Sequence, residues 1–155
     1  MQSSGPLVLR LKKADLEAVI KHSRAEFPKE ACGLLSGKFI TENSALTAVV
    51  EKVYMMRNVE GSTVSYFMEP KEQFMAMKEM RVEGMELVGI YHSHPGVPAY
   101  PSQKDVSLAF YPDAAYLIVS LMAQAVDFRA FQIIDAEIRG IEIQIIGDRG
   151  RGGDA

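Results

Sequence analysis

Short stretches of alternating apolar and polar residues fill most of this chain, interrupted by a few segments with helical spacing. Leu7-Val-Leu-Arg-Leu11 alternates well enough for a first strand. From about Ala14 to Phe27, Leu16, Val19, Ile20 and Phe27 recur near helical spacing, and Pro28 forbids continuation. Ala31 to Phe39 and Ala45 to Met56 read as two strands joined by a polar turn containing Glu42-Asn43-Ser44. Turn formers at 57–62 break the pattern, and Tyr66-Phe67-Met68 reads as a short strand. The spacing then predicts a second helix from Pro70 to about Glu83, with Phe74, Met77 and Met80 on one side. Proline is permitted at its first position and Gly84 ends it.

An apolar run, Leu87-Val-Gly-Ile90, opens a central strand over Glu86 to His92, which stops at Pro95-Gly96 in a proline-rich loop. A short third helix follows from Ser102 to about Phe110. Asp113 to Met122 and Asp127 to Ile134 read as a hairpin, and Ile138 to Ile146 as a final half-exposed strand. A helix near the front, several strands and a helix before the central strand make an α+β domain. Residues 1–146 form one domain, and the glycine-rich, charged stretch 147–155 reads as a flexible tail.

Composition narrows the classes of function. A net charge of −3 with no basic stripe argues against nonspecific nucleic-acid binding. The single cysteine, Cys32, excludes an intramolecular disulfide and suits a reducing compartment. The N-terminus lacks the charged and apolar blocks of a signal peptide, and no apolar run approaches the length of a membrane span. The expectation is a cytoplasmic protein acting away from membranes.

The chemistry lies in Gly89-Ile-Tyr-His-Ser-His-Pro-Gly-Val-Pro-Ala-Tyr-Pro-Ser-Gln-Lys-Asp105. His92 and His94 are two residues apart, so in a strand both imidazoles project from one face. With Asp105 one loop later they form a His₂-carboxylate set. Three protein ligands leave a fourth position for water, the pattern of a catalytic zinc. Two plainer readings stand beside this one. Strand-end histidines can be a polar termination, and Ser102-x-x-Asp105 is a helix capping box in its own right.

His92-x-His94, seven further residues, Ser102, two residues and Asp105 resemble the JAMM motif of the MPN+ zinc metalloproteases. The segment Phe27-Pro-Lys-Glu-Ala-Cys-Gly-Leu-Leu35 resembles that family's upstream glutamate segment, with Glu30 at the glutamate position. The similarity runs from the first strand to about Ile146. It implies a curved, mostly antiparallel and partly barrel-like sheet flanked by helices. It also implies one zinc per chain held by His92, His94 and Asp105, with water in the open position. Glu30 then serves as general base and afterwards general acid, and Ser102 donates a hydrogen bond to the tetrahedral oxyanion. Ser102 could equally cap the helix carrying Asp105, and the two roles then compete for its hydroxyl.

Compact single-domain members of this type resemble prokaryotic proteins acting on ubiquitin-like or sulfur-carrier proteins that end in Gly-Gly. The implied reaction is hydrolysis of the amide after that Gly-Gly, as processing or deconjugation. Two other classes compete: a non-catalytic module or scaffold that binds ubiquitin-like proteins, and a nucleic-acid-processing branch. The oligomeric state, monomer or homodimer, stays open.

Other residues receive plainer assignments. Ser93 points to the opposite strand face and reads as structural. Cys32 has small or apolar neighbours and reads as a buried inert thiol. His22 is a helix-face residue, and Met75, Met77, Met80 and Met85 fill the core. Tyr66, Phe67 and Met68 line a substrate groove or pack at a sheet edge. Asn58 contacts substrate or makes an ordinary turn. Arg151-Gly152-Gly153-Asp154 resembles a Gly-Gly terminus with residues beyond it, which the chain could present to a neighbouring copy.

Overall fold

The computed structural model describes residues 7–147. The tail beyond 147, with its Arg-Gly-Gly sequence, lies outside the described residues. Among these the chain runs β1 (Leu7–Lys12), α1 (Lys13–Glu26), β2 (Cys32–Glu42), β3 (Ala45–Met56), α2 (Pro70–Val82) and β4 (Glu86–His94). It continues through α3 (Gln103–Ser107), β5 (Ala115–Ser120), β6 (Asp127–Ile134) and β7 (Glu137–Ile146). The strands close into a barrel in the order β1-β3-β2-β4-β5-β6-β7, β7 returning to β1. Pairs β2–β3, β2–β4, β5–β6 and β6–β7 are antiparallel; β1–β3, β1–β7 and β4–β5 are parallel. The expected mostly antiparallel, barrel-like sheet is there, with closure complete.

The parallel β4–β5 pair decides where the chemistry goes. Parallel neighbours cannot be joined by a hairpin and need a crossover of a dozen or more residues. Here the crossover is residues 95–114, which carry the proline-rich loop and α3 back across the sheet. Ser102 and Asp105 ride on this obligatory connection. The β2–β3 hairpin closes instead through Asn43 and Ser44, both with positive φ (52° and 65°) as a two-residue turn demands.

Two apolar clusters lie on opposite faces of the β2–β4–β5 strands. One gathers Leu35, Val88, Tyr91, Leu117 and Val119 with Leu16 and Val19 of α1. The other gathers Cys32, Leu34, Ile90, Tyr116 and Ile118 with Ala76 and Met80 of α2. The assignment of β4 residues to faces does not follow simple alternation. Leu35 pairs with Gly89 and Ser36 with Leu87, so Val88 is an extra residue in the ladder. This bulge turns both Val88 and Gly89 toward the first cluster, and alternation resumes at Ile90. Gly33 is needed on that same face, because a Cβ there would lie 2.3 Å from the Tyr91 ring.

Several sequence expectations change. β4 continues to His94, two residues further than expected, because β5 supplies partners up to that point while β2 pairs as far as His92. The third helix is only Gln103–Ser107, since Leu108 already caps it. Tyr66–Met68 forms no strand; a single bridge joins Asn58 to Met68. On α2 the buried stripe is Ala76 and Met80, one turn apart. Phe74 precedes Ala76 by two residues, about 200° round the helix, and is exposed; so is Met75. Met77 and Met85 pack partly buried against the second cluster as expected.

Candidate metal centre

Successive rows of residues across β2, β4 and β5 build the site. The row Leu34–Ile90–Tyr116 comes first, then Cys32–His92–Ile118, then His94–Ser120. Ile90, His92 and His94 alternate along β4, so the two imidazoles share the face that holds Ile90. Both histidines are buried. The Asp105 carboxylate comes in from α3, which Ser102 starts with a full capping box: its Oγ accepts from the Asp105 N–H at 3.0 Å, and its own N–H donates to Asp105 Oδ2 at 2.9 Å.

His92 Nε2, His94 Nε2 and Asp105 Oδ2 form a triangle 3.1 Å on each side. Donors on a tetrahedral zinc with bonds of about 2.0–2.1 Å lie about 3.3 Å apart, so the triangle is close to that spacing. The donor set of two imidazoles and one carboxylate suits the same ion. His94 Nδ1 donates to the Pro98 carbonyl at 2.8 Å, which puts the free lone pair on Nε2, inside the triangle. Tyr66 lies against His92 with ring centroids 4.7 Å apart. The residues present therefore fit a resident divalent ion, and among the described residues they form the one group able to hold it.

Electrostatics agree with that use. Burial drives the His92 pKa down, keeping the imidazole neutral with a lone pair to give. At His94 burial also presses downward, but hydrogen bonds to Asp105 and Pro98 outweigh it and the pKa ends raised. Burial opposes ionisation of Asp105, yet its hydrogen bonds to both histidines hold its pKa well below the carboxylate range.

Glu30 sits at the α1–β2 junction, only 3% exposed. Its backbone is pinned on both sides. The Glu30 N–H donates to Ser62 O at 2.9 Å, and Asn58 Nδ2 donates to the Glu30 carbonyl at 3.0 Å. The next residue is tied to β4, where Ala31 N–H donates to Ser93 Oγ at 2.8 Å and Ser93 N–H to Ala31 O at 3.0 Å. The side chain itself is left open, with Oε1 buried and without a hydrogen-bond partner. Burial raises its pKa from 4.5 to about 7, with the neighbouring His94 pulling down and Asp105 pushing up. A carboxyl held this way can take up and release a proton near neutrality.

The remaining residues fall into place. Ser93 faces away from the triangle and joins β4 to the glutamate segment, a positioning role that sequence reading could name only as structural. Asn58 organises its own loop: Oδ1 accepts from Glu60 N–H and Phe67 N–H while Nδ2 holds Glu30 and Ser65 carbonyls. Cys32 is fully buried, with burial first among the causes that push its thiol up to about 12, so it is inert. His22 Nδ1 meets the Tyr91 hydroxyl at 2.7 Å, behind the site. Tyr66, Phe67 and Met68 line an apolar cavity of about 240 Å³ beside Asp105, floored by Leu34, Ile90 and Tyr116.

The family described as prokaryotic homologs of the JAB domain matches residues 12–134. This chain belongs to the Prok-JAB family. JAB-domain proteins are metal-dependent hydrolases with the MPN fold; the barrel above is that fold, and the His92–His94–Asp105 triangle is a group that could hold a metal ion. Among relatives, the CysO-cysteine peptidase of Mycobacterium tuberculosis is 32% identical over 144 residues, covering 92% of this chain and 94% of that one. A probable TtuB-protein conjugate cleaving protease of Thermus thermophilus is 36% identical over 104 residues, 66% of this chain and 64% of that one. The solution structure of DSY2949 from Desulfitobacterium hafniense superposes with a TM-score of 0.79 at 36% identity, covering 93% of this chain and 97% of that one. Among the described residues of this Prok-JAB chain, no helix is long and apolar enough to cross a membrane.

Proposed function

We propose that this protein is a zinc-dependent peptidase that hydrolyses the amide following the C-terminal Gly-Gly of a ubiquitin-like or sulfur-carrier protein. The observation that carries the reading is the partnerless, buried Glu30 Oε1, close enough to the His92–His94–Asp105 triangle to feel the charges of His94 and Asp105. A buried acceptor with no partner costs on the order of 1–3 kcal/mol, so it is retained where a proton or ligand meets it in use. A scaffold that only binds a partner has no need of it.

His92 Nε2, His94 Nε2 and Asp105 Oδ2 are the atoms that would hold the zinc. The bound ion supplies a Lewis acid and an activated water at neutral pH. The Glu30 carboxylate would take up a proton during attack and hand it to the departing amine. The Ser102 hydroxyl accepts the Asp105 N–H through a lone pair, so its own O–H stays free to donate to the carbonyl oxygen as it becomes tetrahedral. Capping and oxyanion stabilisation therefore do not compete for it. One such donor contributes about 3 kcal/mol to the transition state.

Gly-Gly suits the approach to the site, which lies on a sheet face walled by the 57–70 loop and α3. An extended backbone without side chains can lie close to such a surface. The names of the relatives, a peptidase acting on CysO-cysteine and a protease cleaving TtuB conjugates, support carriers of this kind as substrates. We place the reaction in the cytoplasm, with the buried, unpaired Cys32 as support.

The test is cleavage of an intact carrier fusion, of its final Gly→Ala variant, and of the isolated tail peptide, side by side with metal analysis. Most affinity should come from the folded carrier and most selectivity from the glycines. Turnover should fall at least tenfold for the Gly→Ala fusion, with little change in binding, and the free peptide should be poor. Equal rates for all three would make this a general peptidase and end the carrier assignment.

A further inference from the structure

The cavity beside Asp105 has two walls, the 57–70 loop and the α3 segment. The loop is fastened to Glu30 at two points. The Glu30 N–H donates to Ser62 O at 2.9 Å, and Asn58 Nδ2 donates to the Glu30 carbonyl at 3.0 Å. The other wall carries Asp105 and, one residue before it, Lys104. An ion pair joins the walls: Lys104 Nζ stands 3.6 Å from Glu60 Oε1. Lys104 is the one cation among the residues lining the cavity.

That pair is loosely made. Its separation exceeds a direct hydrogen bond, and the two side chains are 50% and 38% exposed. Glu60 Oε1 already accepts from the Ser65 hydroxyl at 2.6 Å, a closer partner than the ammonium. Ion pairs of this kind contribute little, so another carboxylate can take Lys104 from Glu60 at small cost. Lysine suits such an exchange, because its ammonium is a point charge on a long flexible stem.

The location says which carboxylate would arrive. Beyond burial, His94 and Asp105, the charges that reach the Glu30 carboxyl are Lys104, which lowers its pKa, and Glu60, which raises it. Lys104 and Glu60 therefore meet beside the group that hands a proton to the leaving amine. In an α-linked amino acid that amine and the carboxyl carbon share one Cα, which puts the carboxylate oxygens about 3 Å from the nitrogen. An isopeptide differs, since its leaving nitrogen ends a lysine side chain and brings no charge to that place.

We propose that Lys104 is a specificity-determining residue that holds the α-carboxylate of a single amino acid leaving from Gly-Gly, exchanging Glu60 for it. The inference rests on the peptidase reading above and narrows it to carriers bearing one α-linked residue. Glu60 keeps the ammonium aimed across the groove until that carboxylate displaces it.

The experiment compares four carrier substrates: Gly-Gly-Ala with a free carboxylate, the same chain as its C-terminal amide, Gly-Gly-Ala-Ala, and Gly-Gly joined to Nε of a lysine peptide. Wild type, Lys104→Arg, Lys104→Met, Lys104→Glu and Glu60→Gln are each measured for kcat/KM and metal content. Wild type should favour the free acid over the amide by about two- to fivefold, the effect of a partly solvated ion pair. Lys104→Arg should keep most of that ratio, Lys104→Met should erase it and Lys104→Glu should invert it. Glu60→Gln should enlarge it by removing the competitor. Because Lys104 also acts on Glu30, absolute rates can shift in every variant; the ratio on one variant cancels that shift. Gly-Gly-Ala-Ala, whose carboxylate lies about 3.3 Å further along, and the isopeptide should track the amide throughout. Lys29→Met removes a cation one residue from Glu30 and should leave the ratio alone, and metal content should hold within about twofold in all variants. A wild-type ratio near one, a ratio unmoved by Lys104→Glu, or an equal loss on acid and amide would overturn the role of Lys104. If wild type cleaved none of the four, the peptidase reading itself would fall, a different result from cleavage without preference for the free acid.

Discussion

The two faces of β4 treat their polar atoms in opposite ways. On the face toward α1, the polar atoms are paired. Tyr91 and Ser93 are both fully buried; the Tyr91 hydroxyl meets His22 Nδ1 at 2.7 Å and Ser93 Oγ takes the Ala31 N–H at 2.8 Å. On the other face His92 Nδ1 is buried without a partner, as is Oε1 of Glu30 on the adjoining α1–β2 junction, and three ligand atoms crowd one point. Burial is similar, so burial does not separate the faces. A core minimises unsatisfied groups, whereas a site keeps them for what arrives. The contrast predicts that substitutions on one face act on chemistry and on the other act on positioning or stability alone.

The largest effect should come from the ligands. His92→Ala or Asp105→Ala should remove the metal and bring hydrolysis to background, read by elemental analysis and fusion cleavage. A metal-free variant with full activity would abolish the distinction between the faces.

Next comes Glu30→Gln, which should keep metal and substrate affinity while losing about 10²–10⁴ in kcat. It also carries a stability signature. Burial raises the Glu30 pKa from 4.5 to about 7, so the folded state holds its proton more tightly than the unfolded state. Folding is then penalised as pH rises through the window between those values, and the penalty is complete above it. Metal-free Glu30→Gln should melt higher than wild type at pH 8 and level with it at pH 4. Without metal, a melting difference that ignored pH would mean Glu30 is not protonated on folding. Loss of metal from Glu30→Gln would make Glu30 a ligand.

Ser93→Ala tests a residue on the paired face that serves the open one. Removing the Oγ leaves the Ala31 N–H unsatisfied and loosens the strand that aims Glu30, at about 1–3 kcal/mol of stability. Metal content should hold, kcat should fall by about tenfold, and KM should barely move. Ser93→Thr, which restores an oxygen, should recover part of the rate. An unchanged kcat would confine Ser93 to stability.

Much of this was readable from residue order. The His92-x-His94 period put two imidazoles on one face as soon as a strand was granted, and Pro28 and Gly84 marked the ends of α1 and α2. Glu30 was readable only through its resemblance, because a lone glutamate after a proline carries no local signal of burial. The β4 bulge escaped because Leu-Val-Gly-Ile is apolar throughout, so no alternation shows where Val88 slips. Phe74 was misplaced because α2's burial is set by distant strands that favour Ala76 and Met80. The cleft between α1 and the β5–β6 connection joins Arg24 to Val126, a proximity that exists only after the barrel closes.

The smallest effect should come from Tyr91→Phe. Tyr91 is the neighbour of His92 in sequence, yet its ring packs among Leu35, Val88 and Leu117 and its hydroxyl reaches His22 across the interior. Phenylalanine keeps the ring that fills the space over Gly33, so no cavity opens. What is lost is one hydrogen bond to a half-buried imidazole, about 1 kcal/mol, and His22 can turn toward water in compensation. Proximity along the chain would suggest a catalytic effect; the division between the faces says otherwise. Melting should drop by a few degrees while kcat, KM and metal content stay within about twofold of wild type. A kcat fallen tenfold with the metal intact would show the two faces to be coupled through β4, and burial on the paired side could no longer be read as stability alone.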